Sequence, residues 1–266
     1  MQSIIETYSK LASSYESREN LESCWGRATA HVMGQLPQRS GGETVVDVGC
    51  GPGIQLATFV ETGDRTNSFI GVEPAEGLRN GATERVKRFP NARVYEGKFE
   101  DLPLDSNSVD YLYSIFAFHW VSDINQSAAE LARVLKDTGE MDLFFSGKFT
   151  GKEFNTKTTP VYFKFLTPKL MMEAAKSQQK LTVDDIDKAF RPLFGARELT
   201  VAESYHTYYD SLEGHWSWRC RVEGLVPVPE EKKAAYDEAV KAALATLETD
   251  QGIPFTVHLL HVKLRR

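Results

Sequence analysis

The chain has 266 residues, a formal net charge of −6 and 41% hydrophobic residues. This length fits one large α/β domain, and the mild acidity argues against a broad nucleic-acid interface, which needs a basic face. Three widely spaced cysteines, Cys24, Cys50 and Cys220, form no CxxC pair, so neither a disulfide framework nor a metal site is expected. There is no signal-peptide pattern and no apolar run near the ~20 residues that cross a bilayer, so we expect a cytoplasmic protein without a membrane or nucleic-acid partner.

Strand and helix patterns alternate along the first 147 residues. A helical pattern covers 3–35 and is followed by a flexible break. Apolar and β-branched runs then predict strands within 44–49, 68–74, 92–104, 108–121 and 140–147, and amphipathic runs predict helices at 54–63, 77–89 and 125–139. This order predicts a parallel sheet with helices on both faces and right-handed crossovers.

The second half of the chain is less regular. Residues 148–179 are predicted to open as an irregular segment and continue as a helix, and a helix follows within 181–195 with Thr182 as its N-cap. An aromatic-rich stretch, 211–227, has no clear pattern and stands between a strand at 196–210 and a helix that Pro229 opens. A final strand covers 253–266. The last two strands are expected to complete the sheet, and the inserted segments to form a cap near its ligand-binding edge.

The segment "VVDVGCGPG" places glycines at 49, 51 and 53 directly after a buried strand. Such a turn lets a ligand approach the backbone closely, and the helix behind it offers free N–H groups. The dinucleotide fingerprint fails because its sixth position is Ile54, and a P-loop fails because no Gly-Lys-Ser/Thr follows. Glu73 ends the second strand, where a carboxylate can accept hydrogen bonds from both hydroxyls of a ribose.

These segments together resemble the class I S-adenosylmethionine-dependent methyltransferases. "VVDVGCGPG" resembles their first motif, with Asp47 as its acid, and "YEGKFEDLPLDSNSVDYLYS" resembles the stretch that frames adenine. "FAFHWVSD" resembles the segment after strand four in a small-molecule branch that includes trans-aconitate methyltransferase-like proteins. The resemblance implies a Rossmann-like seven-stranded, mostly parallel α/β sheet with a helical cap, S-adenosylmethionine as cofactor, and a small-molecule substrate in a monomer or homodimer.

The resemblance also implies which residues bind the cofactor. The family commonly carries an acid where this chain has Lys98, so the adenine role passes to Phe99 and Glu100. Two tyrosines of "YSKLASSYESR" are candidates for contact with the amino-acid end of the cofactor. The predicted cofactor residues are Tyr8, Tyr15, Asp47, Gly49, Cys50, Gly51, Gly53, Glu73, Pro74, Phe99 and Glu100. Nothing basic stands beside Cys50 in the sequence, which favours a small buried filler over a nucleophile.

His119 and Trp120 follow the fourth strand and are the candidate catalytic residues. His119 could take a proton from the acceptor or only orient it, and Trp120 could form a wall of the transfer site; both could instead be packing residues. A carboxylate acceptor needs no base, whereas a phenol, an amine or an acidic carbon can require one. In "HWSWRC", Trp216, Trp218 and Arg219 either line a pocket for an anionic substrate or form the core of the cap.

The sequence therefore predicts one methyltransferase domain. It divides into N-terminal lid helices (1–40), a cofactor-binding core (41–147), a cap (148–225) and a final helix and strand (226–266). O-methylation of a carboxylate or hydroxyl is the expected chemistry, with N- and C-methylation left open. The alternative is a protein that binds S-adenosylmethionine without transferring its methyl group, as a regulatory subunit or as a rearrangement enzyme.

Overall fold

The structure is a computed structural model that describes residues 4–12, 17–175, 179–195, 197–223 and 228–266, with backbone only at 173–175 and 220–223. In these ranges the strands form one seven-stranded sheet in the order β3-β2-β1-β4-β5-β7-β6. The strands are β1 Thr44–Val48, β2 Ser68–Val72, β3 Ala92–Tyr95, β4 Val109–Ile115, β5 Leu135–Ser146, β6 Glu198–Asp210 and β7 Ile253–Arg265. Strand β7 runs antiparallel to both of its neighbours, and the other pairings are parallel. The predicted α/β fold is confirmed.

Helices cover both faces of this sheet. They are α1 Ile4–Lys10, α2 Arg18–Glu22, α3 Cys24–Met33, α4 Ile54–Thr62, α5 Glu76–Val86, α6 Ile124–Val134, α7 Lys152–Phe165, α8 Pro168–Ala175, α9 Val183–Phe194, α10 Leu212–Glu223 and α11 Glu230–Ala245. Successive strand residues point to opposite faces, so Val46 and Leu112 pack in one buried layer while Val45 and Tyr111 pack in the other. In the described ranges, no helix combines the length and apolar character needed to cross a membrane.

The predicted helical segment 3–35 is divided into separate helices where the structure describes it. Ser17 and Ser23 are both extended in backbone conformation, and their side chains accept hydrogen bonds from Asn20 N and Gly26 N at the starts of α2 and α3. Serine favours such caps over helix interiors because its hydroxyl competes for the backbone. The described part of the segment therefore contains three short helices. Tyr15 lies outside the described residues.

Two other boundaries differ from the sequence prediction. Helix α6 ends at Val134 rather than at Gly139, because Leu135 already pairs with Val109 and begins β5. The segment predicted to be irregular is helix α7, which contains Pro160. Its Tyr162 stacks on Tyr236 of α11 with ring centroids 6.2 Å apart, so tertiary packing outweighs the weak helix propensity of the segment.

Other parts of the second half follow the prediction or resolve it. The N-cap at Thr182 is confirmed, and it forms a reciprocal capping box with Asp185. The aromatic-rich stretch that the sequence left unassigned contains helix α10. Strands β6 and β7 complete the sheet, as predicted, and the segment between β5 and β6 lies over its carboxyl edge.

Candidate active site

A cavity of about 840 Å³ lies at the carboxyl ends of β1, β2, β4 and β5. In parallel α/β sheets this edge is where ligands bind. The N-terminal helices and the segments after β5 form its other walls. Ten of the predicted residues line it: Tyr8, Gly49, Cys50, Gly51, Glu73, Pro74, Phe99, Glu100, His119 and Trp120. Asp47 and Gly53 are not among the lining residues.

The three glycines of the turn have different physical reasons to be glycine. All three have positive φ, which L side chains rarely adopt. A Cβ at Gly49 would stand 2.3 Å from the Cβ of Ala117, and one at Gly53 would stand 2.9 Å from Ala82. A Cβ at Gly51 would meet nothing within 4 Å and would enter the cavity. Gly49 and Gly53 therefore serve packing, and Gly51 keeps space open for a ligand.

Glu73 holds the end of β2 against the glycine turn. Its two carboxylate oxygens accept hydrogen bonds from Gly51 N and Ala75 N, each at 2.9 Å. The side chain is buried, and burial raises the pKa of Glu73 although both backbone N–H groups act in the opposite direction. The carboxylate thus shapes the turn while it lines the cavity.

Two buried groups lie close to the turn without offering reactive chemistry. Burial raises the pKa of Asp47 to about 8, and the residue is buried outside the cavity lining. Burial likewise holds the pKa of the Cys50 thiol well above its usual value. A Cβ at Gly71 would stand only 2.8 Å from its sulfur. A thiol that stays protonated is a poor nucleophile, so Cys50 has the properties of a buried filler.

Phe99 and Glu100 come from the loop after β3. The Phe99 ring packs edge-on against Phe118 with centroids 5.1 Å apart. Glu100 accepts hydrogen bonds from Ser122 N at 2.6 Å and Ser122 Oγ at 2.7 Å. Burial alone would raise the pKa of Glu100, but these hydrogen bonds and one from Asp123 hold it below its usual value. Glu100 is therefore an ionised group in the wall, and it also fixes the loop after β4.

His119 stands on the short 3₁₀ turn Phe118–Trp120 and is buried. Its Nδ1 accepts a hydrogen bond from Ser146 N at 3.4 Å, and its carbonyl oxygen accepts one from Gln179 N at 3.0 Å. Burial lowers the pKa of His119 to about 3. The Trp120 ring is 5.0 Å from the imidazole and contacts Tyr8 edge-on at 5.6 Å. Trp120 thus joins α1 to the histidine.

The part of the cavity lined by the cap and by the aromatic cluster around Trp25, called the cap half below, is largely aromatic. Trp25 meets Phe116, Phe255 and Trp218 edge-on, with centroids 5.3, 5.7 and 6.2 Å apart. All four line the cavity, together with Phe154. Phe116 has φ +52, a strained conformation for a bulky residue, and such strain is concentrated at functional sites. Sequence reasoning missed Trp25 and Phe255 as cavity residues, because their apolar character was their only signal.

The predicted "HWSWRC" set divides between the cavity and the cap interior. Trp218 and Arg219 line the cavity, whereas Trp216 packs beneath Lys241, whose Nζ lies 4.8 Å from the ring centre. Arg219 is 8% exposed, and its Nη2 donates to Tyr162 Oη at 2.5 Å. The cavity is therefore asymmetric in charge. Acids stand beside the glycine turn, and cations stand on the cap side: buried Arg219 and, at the rim, Lys148 and Lys180. Exposed Lys98 lies at the other rim.

The remaining histidines make structural contacts. His258 Nε2 bonds to Glu203, His261 Nε2 to Asp142, and His215 Nε2 to the carbonyl of Ile253. His31 and His206 have ring centroids 4.5 Å apart, outside the cavity lining. In the part of the chain that the structure describes, no group of three His, Cys, Asp or Glu is placed to hold a metal ion.

Comparisons with known proteins relate this site to methyltransferases. Residues 46–141 match the family model described as "Methyltransferase domain". Malonyl-[acyl-carrier protein] O-methyltransferase from Yersinia pestis is 33% identical over 138 residues, which cover 52% of this chain. The match spans 48% of that relative, about half its length. A ubiquinone/menaquinone biosynthesis C-methyltransferase from Campylobacter jejuni is 26% identical over 180 residues, covering 63% of this chain and 73% of the relative.

Solved structures share the fold. A putative methyltransferase from Bacillus halodurans superposes with a TM-score of 0.60 at 17% identity, covering 90% of this chain and 98% of that one. Phosphoethanolamine N-methyltransferase 2 from Haemonchus contortus, in complex with S-adenosyl-L-methionine, gives 0.60 at 13% identity over 97% of this chain and 57% of that one. The matched region coincides with the strands and turns that build the glycine half of the cavity. Residues 46–141 therefore match the methyltransferase domain family, and residues 1–45 and 142–266 lie outside that match.

Proposed function

We propose that this protein transfers the methyl group of S-adenosylmethionine to a small-molecule acceptor bound under the cap. S-adenosylmethionine is the cofactor of the matched domain family, and the Haemonchus contortus protein of the same fold holds it. One observation carries the proposal. Gly51 is open to the cavity, and Glu73, which accepts its N–H, lines the same wall.

The residues present fit such a donor. Gly51 leaves room for a ligand against bare backbone, and the ionisable oxygens of Glu73 can accept ribose hydroxyls. Phe99 and Glu100, on the loop after β3, line the cavity where they can contact the adenine ring. Tyr8 of α1 lines the same cavity. A sulfonium already activates its methyl group, so the protein has to align the acceptor with it and exclude water. The aromatic cap half of the cavity suits the second task.

We further propose O-methylation of a carboxylate or hydroxyl, in line with the resemblance of "FAFHWVSD" to the trans-aconitate methyltransferase-like branch. The Yersinia pestis relative is an O-methyltransferase, which favours this chemistry. The Campylobacter jejuni relative is a C-methyltransferase, and C-methylation is the second candidate for that reason. The cap half of the cavity, where the acceptor would bind (the acceptor half), is built largely from residues outside 46–141. The similarity to these two relatives therefore concerns mainly the half with the glycine turn, where the donor would bind (the donor half).

The rival hypothesis is a protein that binds the donor and transfers nothing. Two measurements separate the possibilities. Calorimetry with S-adenosylmethionine and S-adenosylhomocysteine tests the donor site, and incubation with methyl-tritiated donor and a panel of small acids, alcohols, phenols and amines tests transfer. Binding with transfer supports the proposal, and binding without transfer to any class supports the rival. A folded protein that binds neither nucleoside would overturn both.

A further inference from the structure

The orientation of His119 is set by backbone groups on two sides. The N–H of Ser146, at the end of β5, points at Nδ1, and the N–H of Gln179 bonds to the histidine carbonyl oxygen. The loop after β5 is itself tied to the segment before α9, because Lys148 N donates to Leu181 O at 2.9 Å. The backbone of His119 is thus tied to the cap, while the N–H of Ser146 at the sheet edge orients the imidazole.

This contact determines which ring nitrogen carries the proton. An N–H donor faces Nδ1, so Nδ1 is an acceptor and the neutral ring has its proton on Nε2. Nε2 has no hydrogen-bond partner among the described residues, and the ring lines the cavity. Burial, the sole cause of the shift, lowers the pKa of His119 to about 3, which keeps the ring neutral. A neutral Nε2–H donates a hydrogen bond; it does not take a proton.

Among the described residues, the two carboxylates that line the cavity are engaged by backbone N–H groups and are poorly placed to replace His119 as a base. Glu73 and Glu100 each accept hydrogen bonds from backbone N–H groups. Glu100 lies in the donor half, where its carboxylate accepts the N–H of Ser122. The charges that approach from the other elements are cationic: Lys148 from the loop after β5, Lys180 beside Gln179, and Arg219 from α10. This half of the cavity suits an acceptor that is negatively charged before it binds.

We propose, on the basis of the methyltransferase function proposed above, that the acceptor is a carboxylate with an aromatic or other apolar body, and that His119 binds it as a hydrogen-bond donor through Nε2–H. One carboxylate oxygen attacks the methyl carbon. The O–CH₃ bond forms as the S–CH₃ bond breaks, the electron pair of that bond stays on sulfur, and a thioether and an ester result. No proton moves, so no base is needed. A hydroxyl or amine acceptor would have to lose a proton.

The cap explains how such an anion is held. Arg219 remains charged at every physiological pH and stands in the wall beside Tyr162 and Trp218. Its planar guanidinium can attract a carboxylate, while the rings around Trp25 offer faces and edges to an apolar body. Charge and apolar surface therefore select together for an amphiphilic acid.

The first test compares matched acceptors. Indole, phenyl and octyl bodies each carry a carboxylate, a hydroxyl or an amine, as in indole-3-acetate, tryptophol and tryptamine, and tritium transfer is measured from pH 5.5 to 8.5. We expect the carboxylates to react at least about tenfold faster than their partners, with no inflection near pH 6 to 7. Equal or faster transfer to hydroxyls or amines overturns the inference and leaves the methyltransferase function standing. Donor binding without any transfer refutes that function itself.

The second test reads the histidine directly and needs no turnover. Nitrogen-15 NMR of the histidine-labelled, S-adenosylhomocysteine-loaded protein reports the tautomer, and the His119→Gln spectrum assigns the signals. We expect a neutral Nε2–H form throughout pH 5.5 to 8.5; titration in this window or an Nδ1–H form overturns the assignment. With the carboxylates, His119→Leu should lose at least about tenfold in kcat/KM, and His119→Gln, which keeps a donor, should lose less. Melting curves check that both variants fold, and equal losses contradict the donor role.

Discussion

Replacing Glu73 by glutamine tests the link between the donor site and the fold. The carboxylate accepts two backbone N–H groups at 2.9 Å, and an amide can accept only one of them. A lost hydrogen bond to a charged group costs about 1.5–3 kcal/mol, and the side chain is buried, so solvent does not screen it. Because burial raises the pKa of Glu73, the neutral amide also relieves part of the cost of burying charge. We therefore expect Glu73→Gln to lower the free energy of unfolding by an amount in the lower half of that range.

The effect on donor binding should be similar in size to the effect on the fold. The amide offers one acceptor oxygen where ribose and the turn together require more, and the Gly51 N–H loses its orientation. Calorimetry should give a Kd for S-adenosylhomocysteine that is about 10- to 100-fold weaker. Glu96→Gln is the matched control, since Glu96 is 74% exposed and pairs with Arg79 at 3.0 Å, and we expect less than about 0.5 kcal/mol and an unchanged Kd. A folded Glu73→Gln protein with wild-type affinity would refute the reasoning.

Three further predictions concern the turn and the lid. The pKa of Asp47 is about 8 in the fold and about 3.9 in an unfolded chain. Its contribution to stability is therefore complete below pH 4 and is lost as the pH rises to 8, so the stability of Asp47→Asn relative to wild type should increase over this range in urea titrations. Gly49→Ala should unfold the protein or lower its Tm because of the clash with Ala117, whereas Gly51→Ala should fold at a cost of about 1–2 kcal/mol and fail to bind the donor; the reverse pattern would contradict the assigned roles. Ser9→Ala removes the hydroxyl that accepts a backbone N–H at the start of α5, and hydrogen exchange in α1 should rise by an amount equal to about 0.5–1.5 kcal/mol, with no change in α11.

The donor half of the site was predictable because its signals are local. The glycine turn and Glu73 each follow a strand that the apolar pattern predicts, and parallel strands bring their carboxyl ends to one edge. The distinction between Gly49 and Gly51 could not be predicted, because it depends on Ala117, which approaches the turn only in the folded sheet.

The acceptor half required the structure. Trp25 and Phe255 lie near opposite ends of the sequence, and yet their ring centroids are 5.7 Å apart. Local sequence patterns cannot predict such a contact. Helix α7 was missed because a proline and several threonines weaken its pattern while packing on α11 stabilises it. The early end of α6 is likewise a consequence of strand pairing, since Leu135 joins Val109 before the helical pattern stops.

The charge asymmetry of the cavity has a consequence for turnover. The acids Glu73 and Glu100 attract a positive sulfonium, and the cations Arg219, Lys148 and Lys180 attract a negative acceptor. In the proposed reaction the sulfonium becomes an uncharged thioether and the carboxylate becomes an uncharged ester. Both electrostatic attractions therefore disappear in the step that makes the products, so the products bind more weakly than the substrates. Such an enzyme would release its ester readily and would be inhibited far more by unreactive acids than by its own product.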